Sequence, residues 1–435
     1  MTIRNLEHAF RARSVALIGA TPRPGSVGSK VLDNLTSGGF EGPIWPVNPG
    51  HDSIGALRCY ASIADLPEAP DLAVIATPPD TVPSLIADLG ARGTRAALVL
   101  TAGIGDKGGL RQAMLDAAQP TCLRVIGPNS FGLFVPALGL NASFAHLAPA
   151  PGHLAFLSQS GALASAVLDW SVEREIGFST VVSLGDMADV DVADLLDMLA
   201  GERHTRAILL YLESVPHARK FMSAARAAAR IKPVIVIKSG RHAAGAEAAA
   251  THTGALAGAD NVMAAAFRRA GLLRVTELPE LFDAAETLSR FRPIPRGRLG
   301  IVTNGGGAGV LAVDRHLDFD GELAVLAPET IAALDPQLPA NWSRANPVDI
   351  IGDAGPERYI AAAEAVLADE NVDALLVMSC PTALASPDAA ADALIEVVEA
   401  RRKPHTRTKP VLTSWLGDHS VRNARQRLRK AGIAT

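Results

Sequence analysis

One histidine lies among small side chains, where a large reactant could reach it. His252 is flanked by Thr251, Thr253 and Gly254 in the run AAGAEAAATHTGALAG, residues 243–258. A neutral imidazole can accept a phosphoryl group on one nitrogen when an acceptor holds the other nitrogen. The segment therefore indicates a phosphoryl-accepting histidine, with an ordinary surface or core histidine as the alternative interpretation.

A phosphoryl-accepting histidine needs an acceptor beside it, and a carboxylate would serve. Glu213 lies at the end of the apolar part of AILLYLES, residues 207–214, which has the pattern of a buried strand. A carboxylate there would orient the imidazole and offset the positive charge that forms on the ring. Glu213 is therefore the candidate partner of His252, with an exposed acid at a strand end as the simpler interpretation. Asp349, in NPVDIIGD, is a second acid that could cap or coordinate at a turn.

Two small-residue turns have the composition of phosphate sites. The run SQSGAL (158–163) and the run NGGGAGVL (304–311) each follow a strand pattern and open a helical one. Free backbone N–H groups at a helix start, with serine hydroxyls nearby, suit a phosphate dianion. Ser160 could instead be a helix N-cap without a ligand, and the glycines could form a loop that binds nothing.

Another turn, GATPRPGSVG (19–28), directly follows the first strand pattern. It lacks the spacing G-x-G-x-x-G, so by itself it indicates either a phosphate-binding turn or a tight connection. The next strand patterns end in PVNP (46–49) and ATPP (76–79), which would line the same carboxyl edge of a sheet. Because open α/β sheets bind ligands at that edge, we predict nucleotide binding here.

Short apolar runs alternate with helical patterns along the chain. Runs such as SVALIG (14–19) and KPVIVIKSG (232–240) each lead into a small-residue turn and then a helical stretch. This alternation indicates βαβ units and parallel sheets, and so an α/β fold. Pro-rich joints near residues 150 and 295 each precede a new strand pattern. We therefore predict three consecutive parallel-sheet domains, residues 1–147, 148–293 and 294–435.

The composition excludes several classes of protein. Of the 435 residues, 48 % are hydrophobic and 20 % are charged, which excludes an intrinsically disordered chain. The net charge of −4 gives no global basic field, so we predict neither a nucleic acid nor a membrane partner. The first residues lack the apolar core of a secretion signal. The three cysteines lie far apart without metal-ligand spacing, which predicts no metal site and a cytoplasmic location.

Taken together, the motifs resemble the NDP-forming (ADP-forming) acyl-CoA synthetases, which are relatives of succinyl-CoA synthetase. The similarity extends from SVALIGATPRPGSVG near the start to AGIAT at the end of the sequence. It rests on the order and spacing of WPVNP, DLAVIATPP, RVIGPNSFGL, FLSQSGALA, LYLES, KPVIVIKSGR, THTGALAG, IVTNGGGAGVL, NPVDIIGD and KPVLTSW. The resemblance implies a Rossmann-like CoA-binding domain followed by two flavodoxin-like, succinyl-CoA synthetase-like ligase domains.

The resemblance also implies roles for individual residues. His252 matches the histidine that becomes phosphorylated, and Glu213 matches the glutamate that steadies it. The phosphate-binding starts of two helices are matched by Ser160 and Gly161, and by Gly307, Ala308 and Gly309. The CoA contacts of the family are matched by Gly19, Thr21, Arg23, Val47, Pro49, Thr77, Pro78 and Ala102.

Members of this family join an acid to CoA through a phosphohistidine. The acid attacks the phosphohistidine to give an acyl phosphate, and the CoA thiol then displaces phosphate. The resemblance thus implies coenzyme A and phosphate as ligands, and a small carboxylic acid or acyl-CoA as substrate. ATP or ADP with Mg would enter only through an ATP-grasp part, which this sequence lacks. An ATP-grasp subunit, or an ATP-grasp domain of a longer chain, would then be the partner in an oligomer.

Two positions depart from the family pattern, and one other function stays open. Ser130 stands where the family often has cysteine, and Gly50 stands where a lysine often follows Asn-Pro, so one contact to a CoA phosphate is expected to be missing. A CoA- or acyl-CoA-sensing regulatory module, as in acetyltransferase-fused relatives, is the alternative to a ligase. An NAD(P)-linked oxidoreductase is disfavoured, because the glycine spacing differs and no acid ends the second strand pattern to bind a ribose hydroxyl.

Overall fold

The computed structural model describes residues 3–105, 108–174, 176–245, 247, 259–290, 297–402 and 408–435. The chain divides into two units, a first unit of residues 1–285 and a second unit of residues 286–435. Among the described residues, no cluster of buried apolar side chains includes members of both units. Each unit therefore has a core of its own.

The first unit contains two sheets, and the first of them is parallel throughout. Its strands are β1 (Val15–Ile18), β2 (Ile44–Val47), β5 (Leu72–Ile75), β6 (Ala96–Val99) and β7 (Arg124–Ile126), with a separate hairpin of β3 (Ser53–Ile54) and β4 (Leu57–Arg58). Its helices are α1 (Glu7–Phe10), α2 (Val27–Ser37), α3 (Val82–Arg92) and α4 (Leu110–Ala118). The strand order is β2-β1-β5-β6-β7. Side chains of β1 are buried on both faces, Leu17 in one apolar cluster and Ile18 in another, as expected for a covered parallel sheet.

The second sheet of the first unit has seven strands. They are β8 (Gly132–Val135), β9 (Leu140–Ser143), β10 (Pro151–Ser158), β11 (Phe178–Ser183), β12 (Ala207–Leu212), β13 (Val234–Lys238) and β14 (Leu273–Val275). The helices are α5 (Gly161–Glu173), α6 (Val192–Gly201), α7 (Ala218–Ala229), α8 (Asp260–Ala270) and α9 (Leu278–Arg290). The order is β14-β13-β12-β10-β11-β8-β9. The strands from β10 to β14 are parallel, and β8 and β9 add an antiparallel edge.

The two sheets of the first unit share part of their core. One apolar cluster contains Leu17 of β1 together with Leu210 of β12. The strands β8 and β9 also precede residue 148 in the sequence and yet pair with the second sheet. The predicted division between residues 147 and 148 accordingly stays a prediction.

A buried charge network also joins the two sheets of the first unit. Arg124, at the start of β7, donates from Nε to Asp189 at 2.9 Å and lies 3.3 Å from Asp194. Lys220 on α7 lies 2.7 Å from Asp194 and 3.1 Å from Asp191, the N-cap of α6. Because removing one member would leave a buried charge unpaired, this network fixes β7 against α6 and α7.

The second unit contains one parallel sheet. Its strands are β15 (Arg298–Thr303), β16 (Glu322–Leu323), β17 (Val348–Asp349), β18 (Ala374–Ser379) and β19 (Val411–Trp415). Its helices are α10 (Gly306–Leu317), α11 (Pro328–Leu334), α12 (Pro356–Ala368), α13 (Pro387–Arg401) and α14 (Arg422–Lys430). The order is β16-β15-β18-β19, and β17 also pairs with β15.

The predicted fold class, an α/β protein of successive parallel sheets, is confirmed. The predicted alternation of strand, small-residue turn and helix occurs at β1 and α2, at β10 and α5, and at β15 and α10. Within the ranges that the structure describes, no helix is long and apolar enough to cross a lipid bilayer.

Candidate functional site

Loops after three neighbouring strands of the first sheet meet at its carboxyl edge, which we call the first rim. The N–H of Gly19, just after β1, donates to the Val47 carbonyl at the end of β2 at 3.0 Å. The Asn48 carboxamide donates to the Ala20 carbonyl at 2.7 Å. On the other side, a Cβ on Gly19 would lie 2.7 Å from the Ala76 carbonyl oxygen, so only glycine fits there at a φ of +92°. The loops after β1, β2 and β5 are thus in direct contact.

The first rim lies at a topological switch point. The chain moves from β1 to β2 on one side and then crosses β1 to reach β5 on the other. Open α/β sheets bind ligands at such a point. Helix α2 starts here, and the Ser26 hydroxyl caps it by accepting from the Ser29 N–H at 3.3 Å. The N–H groups of Val27 and Gly28 have no partner inside the helix, so they are available to an anion.

A glycine that the sequence analysis did not single out allows this close approach. A Cβ on Gly28, in the first turn of α2, would lie 2.1 Å from the Gly19 carbonyl oxygen. The first turn of α2 can therefore contact the first rim only because Gly28 has no side chain. The signal in the sequence was a glycine in the first turn of the helix after β1, which has this packing role in dinucleotide-binding folds.

Seven of the eight residues matched to CoA contacts lie on loops of this edge, and Val47 is the last residue of β2. They do not all offer a side chain. Val47 is only 4 % exposed, and its side chain belongs to an apolar cluster. The Thr77 carbonyl accepts from the Thr101 hydroxyl at 2.7 Å, which brings the loop after β6 to the first rim. Arg23, Pro49, Pro78 and Ala102 are exposed, and Gly19, Thr21 and Thr77 are half-buried. Arg23 is the cation among these eight residues.

The carboxyl edge of the second sheet has the same arrangement, and we call it the second rim. β10 lies between β11 and β12, and the turn after β10 leads into α5. Ser160 is the N-cap of α5, because its hydroxyl oxygen accepts from the Leu163 N–H at 3.3 Å. This capping leaves the N–H groups of Gly161 and Ala162 without a partner inside the helix. A helix start of this kind suits a phosphate.

Glu213 immediately follows β12 and lies beside the turn that contains Ser160. The Gln159 carboxamide oxygen accepts from the N–H groups of Glu213 and Ser214, the latter at 3.0 Å. The Gln159 nitrogen donates to the Ser214 carbonyl at 3.0 Å. The structure therefore brings two predicted residues, Ser160 and Glu213, together through a residue to which the sequence analysis gave no role.

His252 and residues 248–258 lie outside the described residues. The prediction that His252 meets Glu213 therefore stays a prediction. Lys238, at the end of β13, is 3 % exposed. Burial lowers the pKa of Lys238, and the carboxylates of Asp260 and Glu213 oppose that change.

A continuous set of contacts joins the two rims within the first unit. The Asn129 N–H donates to the Thr101 carbonyl at 2.9 Å, and the Asn129 carboxamide donates to the Asp186 carboxylate at 3.2 Å. The sulfur of the next residue, Met187, lies 3.4 Å from the Gln159 side-chain nitrogen. The candidate nucleotide site and the candidate phosphate site are therefore neighbours.

The glycine-rich run at the start of α10 lies in the second unit, and the residues of this first helical turn differ in what they do. A Cβ on Gly307 would meet nothing within 4 Å, so the helix start is open there. Ala308 is half-buried. Gly309 is buried, and a Cβ on it would lie 3.0 Å from the Thr303 methyl carbon. Gly309 therefore serves the packing of α10 on β15, and Gly307 is the residue that leaves room for a ligand.

An acid stands at the start of α10. A Cβ on Gly306, the first residue of α10, would lie 2.7 Å from Oδ2 of Asp349. This carboxylate stabilises the helix start, which has a partial positive charge. It would also repel a phosphate bound there, so Asp349 offsets the charge of the helix start rather than adding to an anion site.

Three family profiles match the chain in succession. The CoA binding domain matches residues 13–136, the succinyl-CoA ligase like flavodoxin domain matches residues 151–288, and the Ligase-CoA domain matches residues 299–435. The three matched ranges contain most strands of the first, second and third sheets in turn.

Two curated relatives and one solved structure are similar over almost the whole chain. The chain is 39 % identical over 432 residues to acetate–CoA ligase [ADP-forming] I of Archaeoglobus fulgidus. That alignment covers 98 % of this chain and 61 % of the relative. It is 38 % identical over 439 residues to the alpha subunit of acetate–CoA ligase [ADP-forming] I of Pyrococcus furiosus. That alignment covers 99 % of this chain and 94 % of the alpha subunit. The chain thus spans about three fifths of the first relative and nearly all of the second. The solved structure is the dinucleotide forming acetyl-coenzyme A synthetase 1 of Ca. Korarchaeum cryptofilum in complex with phosphate and ADP, with a TM-score of 0.92, 36 % identity, and coverage of 99 % of this chain and 92 % of that one.

Proposed function

The chain belongs to the family of ADP-forming acyl-CoA ligases, and on that premise we propose that it binds CoA and transfers the phosphoryl group in such an enzyme. The proposed reaction is acid + CoA + ATP ⇌ acyl-CoA + ADP + phosphate. The acid is a small carboxylic acid, of which acetate in the relatives is the example.

The contact between the two rims is the observation that supports this function most directly. Ligation needs the CoA thiol to reach an acyl phosphate that forms at a phosphate site. The path from Thr101 through Asn129 to Gln159 brings the two candidate sites together in one unit. The charge network around Arg124 holds the two sheets in this arrangement.

At the first rim, the residues fit the phosphates of CoA. The free N–H groups at the start of α2 would bind a phosphate oxygen. Arg23 would add a charge-assisted hydrogen bond from the exposed side of the turn. With Gly50 in place of a lysine, Arg23 is the cation that we assign to this task.

At the second rim, we assign phosphoryl transfer to His252 and Glu213. A carboxylate oxygen of the acid bonds to phosphorus, and the bond from phosphorus to the His252 nitrogen breaks. The CoA sulfur then bonds to the acyl carbon, and the carbon–oxygen bond to phosphate breaks while phosphate takes the thiol proton. The free N–H groups of Gly161 and Ala162 would stabilise the phosphate charge in both steps, and Glu213 would orient the imidazole.

The nucleotide step is assigned to a partner. An ATP-grasp part, either a subunit or a domain, would hold ATP or ADP with Mg and exchange the phosphoryl group with His252. The Archaeoglobus relative is longer than this chain, and the Pyrococcus relative is an alpha subunit. We therefore propose an oligomer with an ATP-grasp part, in the cytoplasm, and domains of residues 1–147, 148–293 and 294–435 for CoA, phosphohistidine and the second ligase fold.

Labelling of the histidine tests this function. The chain is incubated with acetyl-CoA and radioactive inorganic phosphate, which supply the phosphoryl group without any nucleotide. We expect acid-labile label on the wild-type chain and none on His252→Ala, with CoA binding by calorimetry unchanged. His204→Ala, which alters an exposed histidine before β12, is the matched control and keeps the label.

Label of wild-type strength on His252→Ala would remove His252 from the mechanism. If the wild-type chain binds CoA but takes no label, the proposed ligase function is wrong. The acyl-CoA-sensing module would then be the better interpretation.

A further inference from the structure

Both polar atoms of the Gln159 side chain form hydrogen bonds with the loop that contains Glu213. The side-chain oxygen accepts from the N–H groups of Glu213 and Ser214, and the side-chain nitrogen donates to the Ser214 carbonyl. These partners fix the orientation of the amide, because two N–H donors need the oxygen and the carbonyl needs the nitrogen. One half-buried side chain thus satisfies three backbone groups.

These backbone groups need a partner because β12 ends at Leu212. The next two residues have left the ladder of the sheet, and an unpaired backbone group at a half-buried position costs free energy. The Gln159 N–H itself donates to the Tyr211 carbonyl at 3.2 Å, inside β12. Gln159 therefore continues the pairing of β10 with β12 past the end of the strand, with its side chain in place of backbone.

Helix α5 starts two residues after Gln159, and Ser160 between them is the N-cap. The backbone of Gln159 thus leads into the helix start, and its side chain holds Glu213. We propose that Gln159 is a positioning residue, which sets the distance between the Glu213 carboxylate and the free N–H groups of α5. This inference rests on the proposed function, in which those groups act on one phosphoryl group.

Two titratable groups on neighbouring positions interact with Glu213. Burial raises the pKa of Tyr211 on β12, and the Glu213 carboxylate adds to that increase. Burial lowers the pKa of Lys238 on β13, which the carboxylates of Asp260 and Glu213 oppose. Tyrosine and lysine lose their protons on the alkaline side, whereas a carboxyl group gains one on the acid side. Because His252 must be neutral to accept a phosphoryl group, the acid limb of a pH–rate profile reports on His252 together with its carboxylate partner Glu213.

Two substitutions separate positioning from simple loss of stability. Gln159→Met keeps the length of the side chain and removes its hydrogen bonds to Glu213, Ser214 and the Met187 sulfur. Gln159→Glu keeps an acceptor for both N–H groups, loses the donor to Ser214, and adds a negative charge beside Glu213. The measurement is the initial rate at which the full chain takes phosphoryl label from acetyl-CoA and radioactive phosphate, from about pH 5 to about pH 9.

We expect Gln159→Met to lower the rate by about 10- to 100-fold, the effect of a small misplacement of a catalytic group, with an unchanged CoA dissociation constant. Gln159→Glu should retain more of the rate on the alkaline side. Its acid limb should move to higher pH, because a second carboxylate favours the protonated forms of both Glu213 and His252. The matched controls, Gln119→Met and Gln119→Glu, alter an exposed glutamine before β7 and leave the profile unchanged.

A wild-type rate for Gln159→Met would overturn the inference. So would rate losses that follow the thermal unfolding midpoints of both variants without a shift of the acid limb, since that is the result of a purely structural role. A wild-type chain that takes no label at all would instead overturn the proposed function, and the inference with it.

Discussion

Side-chain carboxamides occur just after strands in all three sheets, and each bonds the backbone of a neighbouring loop. Asn48 after β2 accepts from the Gly50 N–H at 2.8 Å and donates to the Ala20 carbonyl at 2.7 Å. Asn304 after β15 accepts from the Cys380 N–H at 2.7 Å and donates to the Cys380 carbonyl at 2.9 Å. Gln159 after β10 does the same for Ser214. An amide can serve both backbone groups, because it has a donor and an acceptor, which an ionised carboxylate lacks.

At the scale of one residue, Arg23 tests the first rim. We expect Arg23→Ala to weaken CoA binding by about 1–2 kcal/mol, which is about 5- to 30-fold in Kd, the value of one charge-assisted hydrogen bond. Titration calorimetry measures this change, and raised salt should narrow the difference from wild type, because Arg23 is exposed. Arg203→Ala, at an exposed arginine before β12, is the control. An unchanged Kd for Arg23→Ala would mean that this turn holds another ligand.

At the scale of elements, a helix start stands at the carboxyl edge of each sheet, but the three starts differ. The Ser26 hydroxyl caps α2 and the Ser160 hydroxyl caps α5, so each leaves its first N–H groups for a ligand. Helix α10 has no side-chain cap from its N-cap residue Gly305, and the Asp349 carboxylate stands beside its first residue. A neutral hydroxyl of the N-cap residue therefore stands at two of these helix starts, and a carboxylate from another element stands at the third.

The contact of α2 with the first rim can be tested by adding one methyl group at Gly28. We expect Gly28→Ala to lower the free energy of unfolding by about 1–3 kcal/mol, because the new Cβ overlaps the Gly19 carbonyl oxygen and α2 must move. The displaced helix start should also lose most of its CoA affinity. Urea unfolding and calorimetry measure the two effects.

Gly201→Ala at the end of α6 is the control for this substitution, because a Cβ there would meet nothing within 4 Å. Equal stability and equal CoA affinity of the Gly28 and Gly201 variants would contradict the packing role of Gly28.

At the scale of the whole molecule, the buried apolar clusters of the described residues follow the division into two units. In the second unit, the buried carboxylate of Asp369 accepts from the Ala327 N–H at 2.8 Å, the Thr330 hydroxyl at 2.7 Å and the Asn371 N–H at 2.8 Å. Burial alone would raise the pKa of Asp369, but these hydrogen bonds outweigh it and hold the pKa below its ordinary value. Asp369 therefore stabilises the second unit in its charged form.

Asp369→Asn should then change the unfolding of the second unit alone. The pKa of Asp369 is lowered in the folded state. Its contribution to the free energy of unfolding is therefore complete above the ordinary carboxyl pKa, and it is lost as the pH falls through the pKa of the folded state. We expect the variant to lose about 2 kcal/mol at neutral pH and to match wild type in strong acid. Scanning calorimetry should show two transitions, of which only that of the second unit moves.

Asp418→Asn, at an exposed acid of the same unit, should leave both transitions in place. A single transition that shifts as a whole in Asp369→Asn would show that the two units unfold together.

Predictions that depend on nearby residues in the sequence describe the structure well. The turn after β1, the turn after β10 and the glycine run where α10 begins all join a strand to a helix, as their residues predict. A local pattern suffices there, because helix starts and strand ends depend on residues a few positions apart. The role of His252 rests on its small neighbours in the sequence and on resemblance to a family, whereas the individual CoA contacts rest on the resemblance alone. All of these roles stay proposals.

The amino-acid sequence is enough to assign the α/β class, the places of the glycine turns and membership of the ligase family. The fold of the chain brings particular turns together: Gln159 bonds Glu213 and Ser214 from more than fifty positions away, and Asn129 bonds Asp186 at a separation of 57. It also decided that β8 and β9 join the second sheet and that Asp349 stands at the start of α10. The reason is physical: periodicity and sterics fix an element from its own residues, whereas contacts between elements depend on how the whole core packs.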